Sequence, residues 1–308
     1  MKELYFSIFG LYVFALAGFV LKKVFKEELN AKSFVLLSLY VFQPILGVWG
    51  FVKAPLVFDM LGVGAVYFLT VFCIAGVLFG IGKFFIHDTK YQALFAFTGT
   101  SGNTGNIGIP LVTVLVGPVG TVVATMINFL SIIWNFVFGV FFYAKGKFSV
   151  QKSLLEIIKL PLLWASLLGI FLNISGTEIS APVEYFLELG AYSAIVIQLV
   201  LLGIFVAGIQ FKKIDIKISG WIAFVKFIIT PVVGIFFLWV YQNFLGEISE
   251  EILLVVILQL FTPIAVNNGN LAVLYNCYPE KIAEAIFLSY VIFLLCVPAG
   301  LYYVVGII

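Results

Sequence analysis

Thr98-Gly99-Thr100-Ser101-Gly102-Asn103-Thr104-Gly105-Asn106-Ile107-Gly108-Ile109-Pro110 is a polar, glycine-rich stretch inside a long apolar run. Four glycines and a proline are poor material for a continuous helix, so the chain is expected to unwind near Asn103. A second stretch, Asn267-Asn268-Gly269-Asn270-Leu271, repeats the Asn-x-Gly-Asn-aliphatic pattern of residues 103–107 at an offset of 164. The same offset aligns Thr98 with Thr262. Just ahead of the second pattern, Pro263 lacks the N–H that would close a helical turn, so a second break is expected there. Gly102, Gly105, Pro110, Pro263 and Gly269 are the residues expected to interrupt the two helices.

Around these stretches the chain reads as membrane protein. Its 308 residues are 63% hydrophobic and 10% charged, with a mean hydropathy of +1.18. A soluble domain holds roughly 45 to 50% apolar and about 25% charged residues. A bilayer core needs about 20 apolar residues per helix, and that length divides the chain into ten spans. They are expected near residues 4–21, 32–52, 58–82, 91–117, 120–143, 154–174, 184–210, 218–245, 251–277 and 281–306. The first run is followed by Lys22, Lys23 and Lys26 without a small-residue cleavage site, so it reads as a retained span.

Lysines set the orientation, because cytoplasmic loops collect basic residues. Fourteen lie in the odd-numbered loops, against Lys2 and Lys53 on the opposite side, so both termini are expected outside. Residues 1–143 then form one five-helix half, residues 144–153 a cytoplasmic linker, and residues 154–308 a second half. An odd number of spans per half inserts the second upside down, which is the inverted-repeat plan of many secondary transporters. All 17 basic residues are Lys, so bidentate Arg clamping of phosphate is absent and nucleic-acid binding is not expected.

The two breaks carry definite chemistry. Irregular backbone at mid-membrane depth survives where protein or a wet cavity satisfies its polar groups, so the breaks are expected to meet and enclose a site. Each half-helix that resumes there presents N–H groups and the positive end of its dipole, which suits a carboxylate. Asn103, Asn106, Asn267, Asn268 and Asn270 are the expected substrate contacts, with Thr100, Ser101 and Thr262 as secondary ones. Carbonyl oxygens freed by the same breaks suit Na⁺ as a coupling ion, with H⁺ as the alternative. No other cofactor and no bound metal are expected. The bland reading makes the asparagines interhelical glue and the glycines packing aids, but glue alone does not predict breaks in matching spans.

Other residues divide between function and structure. Lys226, nine residues past Lys217 and roughly 13 Å along its helix, is the one lysine no loop accounts for. It is either a charge partner or a snorkelling side chain. Gln198 and Gln210 reach either the cavity or a neighbouring helix, and Glu156 and Glu188 read as interfacial. Cys73, Cys277 and Cys296 read as small buried hydrophobes, and Asn173-Ile174-Ser175 matches a glycosylation sequon. Gly99-Thr100-Ser101-Gly102 looks like the motif of intramembrane serine proteases, but the only histidine, His87, lies roughly 20 Å away by helical rise, too far for a general base. Neither a phosphate-cradling loop nor a His-Glu-x-x-His pattern occurs, so neither ATP-driven pumping nor zinc protease activity is expected.

The stretch from Gly102-Asn103-Thr104 to Gly108-Ile109-Pro110-Leu111 and the run from Pro263 to Tyr278-Pro279-Glu280 resemble the auxin efflux carrier family. Tyr40-Val41-Phe42-Gln43-Pro44 and Pro298 fit it as well. The resemblance covers the whole chain. It implies an all-α protein of ten spans in two inverted repeats, with spans four and nine broken and crossing at the substrate site. It also implies a small carboxylate as substrate, contacted by Asn103 from one side and by the segment after Pro263 from the other. Spans one, two, six and seven would form a scaffold against which the rest moves like an elevator. The chain differs in reading Leu160-Pro161 where relatives often have Asn-Pro, in Val196 where a proline is often found, and in having no third-span carboxylate beyond Asp59. The expectation is therefore a carrier of small organic anions, not an enzyme, lying in the lipid bilayer, with a homodimer as the assembly open to it. The alternative is a Na⁺-coupled symporter resembling the bile acid carriers.

Overall fold

The structure, a computed structural model, describes residues 2–56, 58–144, 158–208 and 215–305. Their regular structure is helical, and the only β-type pairing among them is a single bridge. The helices are α1 Lys2–Phe25, α2 Ala31–Phe51, α3 Phe58–Phe85, α4 Thr89–Ala96 and α5 Thr104–Leu115. Next come α6 Pro118–Tyr143, α7 Pro161–Ile174, α8 Ala181–Ala207 and α9 Ile216–Phe244. The series ends with α10 Glu250–Leu260, α11 Asn267–Tyr275 and α12 Pro279–Val305.

These sequences are apolar on every face, which is what lipid rather than water on the outside permits. Among the described residues, α2, α3, α6, α8 and α9 are long and apolar enough to cross a bilayer, and α5 and α7 are shorter apolar helices. The protein is therefore membrane-embedded and multi-pass. Helix starts follow local chemistry: the side chains of Asn30, Asp88, Asp215 and Ser249 accept from backbone N–H groups of the turn they open. Proline opens α6, α7 and α8, where a missing N–H costs nothing.

Packing relies on small residues. α1 lies against α8, and α7 and α8 both pack on α2. A Cβ on Gly203 would fall 1.8 Å from the Ala15 carbonyl oxygen, and one on Gly18 would fall 2.0 Å from that of Val200, so α1 and α8 touch backbone to backbone. The remaining helices gather around α3 and α6: α4, α6 and α9 pack on α3, α5 and α10 on α6, and α12 against α9 and α11.

Polar contacts tie the helix ends in two sets. At one end, Tyr278 donates to Asp88, Lys281 pairs with Asp215, and the Asp215 N–H donates to Glu284 Oε2 at 2.9 Å. The Lys281 ammonium holds the Asp215 carboxyl below its usual range. At the other end, Lys53 pairs with Glu184 at 3.0 Å. There Asn173 donates to the carbonyls of Phe51 and Ala54 and accepts from the Leu56 N–H.

Two residues take places other than a first reading gives them, and Gln198 takes one of the two places open to it. Asn173 is an anchor between α7 and the turn after α2, so its amide is engaged where a glycan would need it free. Cys73 is exposed on α3 rather than buried. On an all-apolar helix the outward face is as suitable for a small hydrophobe as the core. Gln198 donates to Ser38 Oγ of α2 at 2.8 Å, an interhelical bond and not a cavity contact. Gln210 and Glu156 lie outside the described residues, while Glu188 is half-buried and accepts from Tyr192.

Candidate functional site

Both expected interruptions are present, and they bond to each other. A 3-10 turn, Thr98–Thr100, follows α4, after which the chain is extended at Ser101 and resumes as helix at Thr104. On the other side α10 stops at Leu260 and α11 starts at Asn267. Between them Gly102 and Ile264 form an antiparallel bridge. The Asn103 N–H donates to the Pro263 carbonyl at 2.7 Å, and the Ala265 N–H donates to the Ser101 carbonyl at 2.9 Å. Backbone groups freed by each interruption are thus satisfied by the other, which is how irregular chain survives away from water.

The bridge sets Gly102 opposite a residue 162 positions on, while the asparagine pattern repeats at 164. Two more residues therefore separate bridge from pattern in the second segment. As a result Gly269 lies inside α11 rather than at the break, and Gly105 lies inside a π-turn, Thr104–Gly108. Pro110 sits in the first turn of the α-helix that follows, where it opens the helix instead of interrupting it. Pro263 and Gly102 are the residues at the breaks proper.

One face of the junction is built from amides. Asn103, Asn106, Asn268 and Asn270 are all buried. Asn103 Oδ1 caps α5 by accepting from the Asn106 N–H at 3.3 Å and from Asn106 Nδ2 at 3.2 Å. Its Nδ2 donates to the Tyr290 hydroxyl of α12. Gln43 of α2 donates to Asn106 Oδ1 at 3.0 Å. At the start of α11, Asn268 accepts from the Tyr143 hydroxyl at 2.9 Å, and Asn270 Nδ2 donates to Asn267 Oδ1 at 3.2 Å. Asn267 is half-buried, and Asn270 Oδ1 has no partner. Asn103, Asn106, Asn270 and Asn268, the last through the Ala265 carbonyl at 3.2 Å, each use one of the two N–H groups of a primary amide in these bonds, which leaves a second on each. The helix dipoles of α5 and α11 both point their positive ends into this region.

The opposite face holds a lysine amine. A Cβ on Gly102 would lie 2.8 Å from Lys226 Nζ, 2.7 Å from Thr262 Oγ1 and 3.2 Å from the Tyr67 hydroxyl. Lys226 is fully buried in a π-turn of α9, Val225–Ile229, and its amine has no partner. π-Turns inside α-helices recur at functional positions. Close packing holds α9 there, since a Cβ on Gly99 would meet Val225 Cβ at 2.7 Å. The snorkelling reading of Lys226 does not survive this placement.

The secondary contacts expected from sequence are braces. Thr100 donates to the Phe97 carbonyl and accepts from Trp134 Nε1, Ser101 donates to Asn135, and Thr262 donates to the Gln259 carbonyl. Ser101 therefore has an asparagine, not a base, beside it. Gln43 enters from sequence only within the Tyr40-Val41-Phe42-Gln43-Pro44 motif, and nothing in the sequence alone points to Tyr67, Tyr143 or Tyr290 as site residues. Asn128, Ser131 and Asn135 carry a signal, because intervals of three and four residues put them on one face of α6. An apolar cavity of about 500 Å³ lies apart, between α1, α8 and α12, and meets the amide face only through Tyr290.

No curated protein matches the chain. A family model described as membrane transport protein matches residues 4–301. Its span takes in both breaks, the amide face and Lys226, and with that match the chain belongs to the auxin efflux carrier family of membrane transport proteins.

Proposed function

We propose that this transporter is a secondary carrier of small organic anions, mono- or dicarboxylates, working by alternating access around the paired breaks. The single observation that carries the reading is the junction: two interrupted helices, hydrogen-bonded to each other, whose resumed N-termini are lined with buried amides. Amide donors and positive helix ends favour an anion, and no carboxylate pairs with any group at the junction among the described residues.

In this reading the chain makes ten crossings in two oppositely inserted halves, with the broken fourth and ninth spans crossing at the substrate. α1, α2, α7 and α8 form a scaffold, and the remaining helices form the moving body. Support for the division comes from packing. The first four helices pack mainly on one another, and few polar bonds reach across: Gln43 to Asn106, and Tyr12 to the Tyr290 carbonyl at 2.7 Å. A seam with few directional bonds is suited to sliding.

The test is carboxylate binding to purified protein. Asn103→Ala and Asn267→Ala are each expected to weaken affinity by about tenfold or more, the size of a lost bond to a charged group, while the protein stays folded. Unchanged affinity in both variants would sink the site.

A further inference from the structure

Among the described residues, Lys226 is a fully buried ionisable side chain for which the carrier reading has no use. Its amine faces Gly102 and has neither a hydrogen bond nor an ion pair. Three polar atoms converge on Gly102 of the first break: the Lys226 amine, the Tyr67 hydroxyl from α3 and the Thr262 hydroxyl from the second break. On its own helix the nearest charged residues, Lys217 and Asp215, are nine or more positions back, roughly 13 Å or more by helical rise. Glu284 of α12 is engaged at that same distant end, through the Asp215 N–H.

Position within the junction matters as much as isolation. Thr262 and Gly102 each follow closely on a helix C-terminal end, that of α10 and that of the turn after α4. Freed carbonyls and the negative ends of helix dipoles make this the side of the junction that suits a cation. Successive residues of extended chain point to opposite sides. Gly102 accordingly meets Lys226, while Asn103 reaches Tyr290 and Asn106 on the amide side. The bridged backbone thus has the amine on one side and the amides on the other, and the absence of a side chain at Gly102 lets the amine come close.

An ammonium sealed from water without a counter-charge is costly, and in membranes such groups mark function. Two events remove that cost: loss of the proton to water, or arrival of an anion nearby. We propose that Lys226 is the coupling group of the carrier, taking up one proton as an anion loads on the amide side and returning it as the anion leaves, where a coupling metal ion would otherwise sit. This rests on the carboxylate-carrier reading above. Loading forms one N–H bond on the free amine with a proton from the water to which the site is open. Unloading breaks that bond and releases the proton to the water on the other side. A monocarboxylate then crosses with no net charge.

The experiment measures benzoate and succinate binding to the purified full chain between about pH 7 and 9.5, where both are fully ionised, in Na⁺ and in K⁺. Proton uptake on binding is followed with an indicator dye in weak buffer. Wild-type protein is expected to take up one proton per anion, equally in either salt. Its affinity should fall by about tenfold per pH unit once the amine is free, the slope of one linked proton. Lys226→Met is expected to bind at least about tenfold more weakly, with no pH dependence in this range, and to melt at a higher temperature when empty, since a buried amine without a partner is gone. Binding without proton uptake by the wild type, or an unaltered pH profile in Lys226→Met, overturns this proposal and leaves the carrier reading standing. Wild-type protein that binds neither anion at any pH overturns both. Should Lys226→Met fail to fold, the wild-type proton count decides by itself.

Discussion

Asn173 shows what a single residue conceals in sequence. As part of Asn-Ile-Ser it looks like a modification signal, yet its amide makes three bonds of 2.5 to 2.7 Å to the turn that follows α2. Alanine there would strand two carbonyls and an N–H in a half-buried loop. Asn173→Ala is expected to destabilise the protein by about 1–3 kcal/mol, read as a lower melting temperature, and an unchanged melt would mean that water replaces the amide freely. The asparagines of the junction were legible for the opposite reason. An amide inside an apolar span is an anomaly, so Asn103, Asn106, Asn268 and Asn270 stood out, and all four are buried beside the breaks. Their partners did not stand out. Tyr290 is one of 14 tyrosines, and its bond to Asn103 spans 187 positions, a distance over which no local pattern carries information. Lys226 was visible as a charge without a loop, but its direction was not, because a lysine stem of that length can reach water or the core.

At the scale of elements, composition announced both interruptions, since glycine and proline act on the backbone within one turn of where they stand. Their registers were less legible. Local sequence alone does not say that the bridge pairs residues 162 apart while the asparagine pattern repeats at 164, because pairing depends on which carbonyls are free after α4 and α10 end. The contact of α1 with α8 was hidden too. The chain has 28 glycines, and nothing nearby marks Gly18 and Gly203 as the two that face each other's helices. At Gly203 a methyl would lie 1.8 Å from the Ala15 carbonyl oxygen and 2.6 Å from the Phe19 nitrogen, both fixed backbone atoms. Gly203→Ala must therefore push the helices apart, at a cost of about 1–3 kcal/mol. Gly220→Ala on α9, where a Cβ meets nothing within 4 Å, is the control, and it is expected to leave the melting temperature unchanged or slightly raised. Equal melts for the two variants would contradict close packing of α1 on α8.

For the whole molecule, the loops decide which way it faces. The lysine bias assigns the segments around residues 22–32, 83–90, 212–217 and 281 to the cytoplasmic side. Contacts between helix ends sort the chain in the same way without reference to charge. The segments at Asp88, Asp215 and Tyr278–Lys281 touch one another, and the segments at Lys53–Leu56 and Asn173–Glu184 touch one another. Among the described residues these contacts join helix ends within each set, as loops on opposite membrane faces would. His87 and Thr177 are exposed representatives of the two sets. In a cysteine-free background, an impermeant maleimide applied to intact cells is expected to label Thr177→Cys and to leave His87→Cys unlabelled until the membrane is opened. Labelling of both from outside would break the grouping of the loops. Labelling of His87→Cys alone would keep the grouping and invert the molecule, placing the lysine-rich ends outside against the usual bias.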